Sequence, residues 1–246
     1  MKNNLELAKY LLKISKKAYK FAEKQKLVVK DKKAHDLVTS YDFNIEKFLI
    51  KKLNADYPNV KIVSEEYNAT VEAKGTYFAV DPIDGTVNFS NNLPDFGVQI
   101  AYVENNEILA SVIYMPKCGD YIAGKNCGAY KNGKRIFINT KPLDHSLIEL
   151  ITPNSKSINN TVEEIKNNVM DIRRYGASCR IYTYLAESKL GARIDYGKYN
   201  VWDNYPGILL ANEASCVTKE ENNWLVTASS EENLNKIFEI INSKIK

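Results

Sequence analysis

The sequence predicts a mixed α/β fold built in two halves. Three observations predict it. Helical periodicity opens the chain, a run of hairpin-linked strands follows, and strands alternate with helices from Ser146 onward.

Residues 4–26 place Leu5, Ala8, Leu11, Leu12, Ser15, Ala18 and Ala22 on one small or apolar face, with Tyr19 and Phe21 near its seam. That spacing predicts a helix. Residues 43–55 repeat the pattern with Phe43, Ile45, Phe48, Leu49 and Leu53, and Pro58 stops any helix nearby. Val60–Val63 and Thr76–Val80 are short runs of strand formers. Phe96–Val103 and Ile108–Met115 flank Asn105-Asn106, and Ala129–Lys131 and Arg135–Ile138 flank Asn132-Gly133. Both dipeptides suit hairpin turns, which join antiparallel strands.

In the second half, Ser146–Ile151, Asp171–Tyr175, Ala192–Tyr196 and Trp224–Ala228 read as strands. Asn160–Val169, residues 179–190 and residues 204–214 read as helices, with Ser178 placed to cap the second. A last helix carries Leu234, Ile237, Phe238, Ile240 and Ile241. Ser229 followed by Glu232 predicts a capping box at its start. Pro142 marks a seam, giving an N-terminal half of residues 1–141 and a C-terminal half of residues 142–246 in one compact unit.

At 246 residues, 44% hydrophobic and 26% charged, the chain has an ordinary globular composition and can bury a core without disulfides. No apolar run approaches the roughly 20 residues that span a bilayer. The Lys- and Asn-rich start lacks a signal-peptide core. The expectation is a cytoplasmic protein without membrane attachment. Cys118, Cys127, Cys179 and Cys216 are widely spaced, so zinc-site spacing is absent and reduced thiols are expected. Net charge is +4, but residues 1–33 hold eleven lysines against three acids. Without interleaved arginines or a binding motif this reads as a solvated basic face, not a nucleic-acid surface.

The most informative string is Val80-Asp81-Pro82-Ile83-Asp84-Gly85-Thr86-Val87-Asn88-Phe89, directly after a strand. Asp81 and Asp84 can converge on a hard cation, since carboxylate oxygens suit magnesium. Pro82 stiffens the turn and Gly85 lets the backbone approach a ligand. A helix starting at Gly85-Thr86 would turn free amides toward a phosphate. Three further pieces are individually ordinary. Glu65-Glu66 ends a strand, Asp42 stands where it could cap a helix, and Asp203 follows Trp202 where another helix begins.

Taken in order, these pieces resemble the inositol monophosphatase family over nearly the whole chain. The Asp-Pro-Ile-Asp-Gly-Thr string and the late Trp-Asp carry the resemblance, with Gly97–Pro116 and the Gly-Ala-Tyr-Lys-Asn-Gly turn at 128–133. It implies a layered α/β/α/β/α sandwich of the inositol monophosphatase and sugar bisphosphatase type. It implies a magnesium-dependent phosphatase acting on a small phosphate monoester, with two or three ions, lithium sensitivity and a homodimer. Glu65 and Asp81, with the Ile83 carbonyl, would hold the first ion. Asp81, Asp84 and Asp203 would hold a second, and Glu65 would help hold a weaker third. Thr86 would contact the attacking water with Asp42 behind it, and the amides of Gly85 and Thr86 would hold phosphate. Lys30 is the nearest match to a family lysine beside the site.

The departures concern the substrate. Tyr205 and Pro206 replace small residues after Asp203, and Pro206 falls where a helix's first turn would accept it. Tyr196 stands where inositol-specific members carry a glutamate. Asp84, Ser178 and Tyr196 are the expected substrate-facing residues, and Arg173 and Arg174 lie just upstream. Inositol 1-phosphate is the default substrate. Fructose 1,6-bisphosphate, a nucleotide 3′-phosphate, NADP and histidinol phosphate are alternatives, and a non-catalytic phosphate-binding protein is the alternative of another class. His35 and His145 lie near no motif, so a covalent phosphohistidine route is not expected.

Overall fold

The computed structural model describes residues 3–33, 36–153 and 158–244, and His35 lies outside them. Helix α1 (Asn4–Ala22) starts where the Asn3 side chain accepts the Leu5 amide. It buries Leu7, Leu11, Ile14 and Ala18 against α2 (Ser40–Asp56) and a sheet. Each leucine buried in this way contributes roughly 1.5–3 kcal/mol. A short ribbon of β1 (Val29–Lys33) and β2 (Asp36–Thr39) joins the two helices.

The sheet under α1 and α2 has seven strands in chain order. They are β3 (Lys61–Ser64), β4 (Tyr77–Asp84), β5 (Gly97–Glu104), β6 (Glu107–Met115), β7 (Gly119–Gly124), β8 (Gly128–Lys131) and β9 (Lys134–Ile136). Only the β3–β4 pair is parallel. Asn105 and Asn106 (φ 52° and 66°) and Asn132 and Gly133 (φ 50° and 78°) make the two expected hairpin turns. All eight positions of β4 are buried, because helices cover both faces of the sheet.

A second sheet runs β11-β10-β12-β14-β13. Its strands are β10 (Leu147–Ile151), β11 (Asp171–Ile172), β12 (Ala192–Tyr196), β13 (Val217–Glu221) and β14 (Trp224–Ala228). Between the sheets lie α5 (Ser178–Ala186) and α6 (Val201–Glu213), with α6 crossing β4 to β7. The helices pack closely because Gly207 has no side chain, and a Cβ there would stand 2.0 Å from the Tyr182 ring. Outside the second sheet lie α4 (Asn159–Asn167) and α7 (Glu231–Lys244). The order is helices, sheet, helices, sheet, helices, which is the expected α/β/α/β/α sandwich.

Several local expectations are corrected. Thr39, not Asp42, is the N-cap of α2, and Asp42 closes the capping box from the third helical position. The cap of α5 is Ala177, which leaves the Ser178 hydroxyl free to accept from Gln99 Nε2 at 2.8 Å. Helix α7 is capped by Ser230, whose Oγ accepts the Asn233 amide, while Glu232 pairs with Lys236. Helix α6 starts at Val201, so Pro206 lies inside it and the Trp202 carbonyl loses its helical donor. Strands β1, β2, β7 and β13 carry no clear strand signal in the sequence, since charged residues dominate β1, β2 is only four residues long, glycines bracket β7 and polar residues dominate β13.

Candidate active site

Strand β4 carries the centre of the site. Between Asp81↔Gln99 and Asp84↔Gly97 its register against β5 slips by one residue. That extra residue is a bulge. Pro82 fits it because a bulged position need not donate to the ladder. Gly85 follows at φ 82° and ψ 39°, a left-handed conformation that favours glycine. A Cβ there would also meet Ala177 Cβ and Asp95 O at 2.8 Å. The chain then turns into the five-residue helix α3 (Thr86–Ser90).

This turn brings Asp81 and Asp84 together with Asp203 from the first turn of α6. One carboxylate oxygen of each lies within 4.8 Å of the others. Asp84 accepts the backbone amides of Ser178 at 3.1 Å and Cys179 at 2.6 Å, at the start of α5. The partial positive charge of a helix N-terminus favours a carboxylate there. Asp203 accepts from Asn200 Nδ2 at 3.0 Å. Asp81 Oδ1 is buried with no hydrogen-bond partner. Such an atom is costly unless a cation meets it.

Glu65 completes the acidic set. It lies one residue past β3, beside β4, with its amide 3.3 Å from the Val80 carbonyl. Burial pushes its carboxyl up to about 7, against the opposing pull of Lys32. Burial also pushes Asp203 up to about 6, with Asp84 adding to it. Asp81 is raised well above the ordinary range by burial and then by Glu65, Asp84 and Asp203. Four carboxyls crowded in this way repel one another, and a divalent ion relieves that repulsion. The all-oxygen donor set and the orphaned Asp81 oxygen fit a hard cation such as magnesium.

Beside this set, the Thr86 hydroxyl lies 2.9 Å from the Ile83 carbonyl and 3.2 Å from Asp42 Oδ1. Having one proton, it donates to one of them at a time. Asp42 Oδ2 accepts the Thr39 amide at 2.7 Å, and burial raises its carboxyl to about 6.

Two residues escaped the reading of the sequence. Glu46, one turn after Asp42 on α2, accepts Ser64 Oγ at 2.5 Å and the amides of Glu66 and Tyr67 at 2.8 and 2.7 Å. It anchors the turn that presents Glu65. Its four-residue spacing from Asp42 was the available signal. Lys32, not Lys30, reaches the site, with Nζ 3.2 Å from Glu65 and 2.7 Å from Glu66. Tyr196 does not join the carboxylates. Strand alternation puts it on the face of β12 shared with Ala192 and Ile194, where its ring packs on Trp224 at 4.6 Å. Arg193 and Asp195 take the face toward α5, where Arg193 lies over the Tyr182 ring and grips Asp195 through Nε and Nη2.

Comparison with known proteins agrees with this geometry. The inositol monophosphatase family model matches residues 1–243. The inositol monophosphatase of Dictyostelium discoideum is 31% identical over 201 residues, covering 76% of this chain and 72% of that one. A fructose-1,6-bisphosphatase/inositol-1-monophosphatase of Thermotoga maritima is 27% identical over 183 residues, covering 73% and 69%. The Nus factor SuhB of Escherichia coli K12 is 28% identical over 212 residues, covering 80% and 78%. Among solved structures, a Thermotoga maritima IMPase superposes with TM-score 0.81 at 21% identity over 98% of both chains. An IMPase/NADP phosphatase complexed with Mg2+ and phosphate gives 0.79 at 21% identity over 96% and 94%. The structural matches establish the shared fold, and the family match spans all the residues that build the site. The chain is a phosphatase that belongs to the inositol monophosphatase family.

Proposed function

We propose that this phosphatase hydrolyses a small phosphate monoester with magnesium held by Glu65, Asp81, Asp84, Asp203 and the Ile83 carbonyl. The observation that carries the reading is the convergence of Asp81, Asp84 and Asp203 around the partnerless Asp81 oxygen. When bound, the ions offset the phosphate's charge, favour loss of a proton from the attacking water and stabilise the departing alkoxide.

The chain's own residues position the reactants. The Thr86 hydroxyl, backed by Asp42, orients the water, and the Glu65 carboxylate stands ready to accept its proton. The amides of Gly85 and Thr86 donate to phosphate oxygens. The water oxygen forms the new bond to phosphorus, the ester P–O bond breaks, and the departing alkoxide takes a proton from solvent while Glu65 gives its own back to solvent. Little covalent work falls to side chains, so positioning dominates.

Asp84 and Ser178 are proposed to face the substrate alcohol, because the Ser178 amide already binds Asp84. Tyr196, on the opposite face of β12, takes no part. Inositol 1-phosphate is the first substrate to try. Fructose 1,6-bisphosphate and NADP follow, since related proteins carry those names. Lithium sensitivity, a homodimer and a cytoplasmic setting belong to the same proposal. The four free thiols support a reducing compartment, and a staphylococcal relative was solved as a lithium inhibitory complex. The test is phosphate release from inositol 1-phosphate, fructose 1,6-bisphosphate, adenosine 3′,5′-bisphosphate and NADP. One strongly preferred monoester supports the reading, and folded, metal-loaded protein that releases phosphate from none contradicts it.

A further inference from the structure

The outer surface of α1 and α2 faces away from the first sheet, and none of the residues lining it belongs to the carboxylate cluster. It holds a groove of about 550 Å³ whose lining includes Phe21, Phe48, Ala55, Lys47, Lys51 and Lys52. The two rings lie 5.8 Å apart at 35°, and Phe21 keeps 44% of its surface exposed. A large exposed aromatic backed by a second ring is an anchor site wherever proteins dock.

Charge surrounds this apolar floor. Lys17 stands four residues before Phe21, so helical geometry puts it on the same side of α1. Lys47, Lys51 and Lys52 stand along the α2 wall, and no acidic residue lines the groove. Lys52 pairs with Asp56 at 2.9 Å. Among the described residues, Lys17, Lys47 and Lys51 make no ion pair in the chain. Like charges gathered around an apolar cleft without internal partners leave the surface complementary to an acidic ligand.

We propose that this groove docks an acidic amphipathic helix of a partner protein, with its apolar ridge on Phe21 and Phe48 and its carboxylates on the lysines. The shape selects that occupant. Lining residues run from Asn44 to Ala55 on α2, a length of roughly 16 Å at the helical rise, or about three turns of a ligand helix. A bilayer is flat and would touch the lysine rims but not the cleft. A single-stranded nucleic acid stacks successive bases on successive ring faces, whereas the groove offers a single pair of rings 5.8 Å apart. The proposal is independent of the phosphatase chemistry.

The test uses the full chain and a fluorescein-labelled peptide carrying leucines at helical spacing and glutamates on its flanks. A scrambled peptide of the same composition is the control. Anisotropy at low and high salt measures binding, and phosphate release reports that each variant is folded. The expected result is salt-sensitive binding of the patterned peptide, about tenfold tighter than the scrambled one. Lys47→Glu with Lys51→Glu, and separately Phe21→Ser, weaken it about tenfold while turnover is unchanged. Equal binding of both peptides, or no effect of either variant, overturns the proposal. So does binding confined to phosphatidylserine vesicles or to an oligouridine strand.

Discussion

Asp84 accepts a 2.6 Å hydrogen bond from the backbone amide of Cys179. This contact joins the end of β4 to the start of α5 and so ties the two halves of the chain at the site. It also separates two neighbouring aspartates by their surroundings. Asp84 is held by two amides, whereas Asp81 has an oxygen with no partner at all.

The two asparagine variants are therefore expected to move stability in opposite directions. Without metal, Asp81→Asn removes a buried, repelled charge and raises the melting temperature by about 2–4 °C for each kcal/mol relieved. Asp84→Asn gives up a charge-assisted acceptor at a helix N-terminus and lowers it. Both variants lose phosphate release. Thermal melts in EDTA check the pair, and a shared sign contradicts the assignment.

Glu46 is expected to matter more than its distance from the chemistry suggests. Glu46→Ala strands the Ser64 hydroxyl and the amides of Glu66 and Tyr67, costing ~3 kcal/mol. By loosening the turn that carries Glu65 it also weakens magnesium binding about tenfold. Denaturant melts and calorimetric titration read the two effects, and unchanged metal affinity contradicts the positioning role.

Acidity should stabilise the metal-free protein. Glu65 lies at about 7, Asp203 and Asp42 at about 6 and Glu149 at about 7, each raised by burial. Their unfolded values lie near 4, so between about pH 4 and 7 the folded state holds more protons than the unfolded one. Stability then falls as pH rises through that window. Melting in EDTA is expected at higher temperature near pH 5 than near pH 7.5, and magnesium should raise it more at the higher pH. A metal-free stability that rises with pH across this range contradicts the account.

Lithium at millimolar concentration is expected to inhibit turnover, with less effect as magnesium is raised. A rate that ignores lithium contradicts the assignment of a weakly held ion at Glu65.

Much of the fold and site was legible because it is local. Asp81, Ile83, Asp84, Gly85 and Thr86 are contiguous, and a strand followed by a glycine turn explains their convergence without knowing the rest. The hairpins at Asn105-Asn106 and Asn132-Gly133 were legible for the same reason. What escaped depends on contacts between distant segments. Glu46 looks like any helix acid until the 64–67 turn closes on it. Lys32 reaches the site only because the β1–β2 ribbon folds over it. Tyr196 matches a family position in sequence, and such a match does not say which face of β12 its side chain takes. The lysines of the N-terminal region read as solvated, and the meeting of Phe21 with Phe48 beside the lysines of α2 appears only when the two helices pack.

The most direct measurement is phosphate release by the wild type and Asp81→Asn, each with magnesium and with EDTA, on the best substrate of the panel. The account predicts turnover by the wild type with magnesium alone, and background release by Asp81→Asn although it melts no lower. Release that survives EDTA, or an active Asp81→Asn, would contradict a magnesium-dependent site built on these carboxylates.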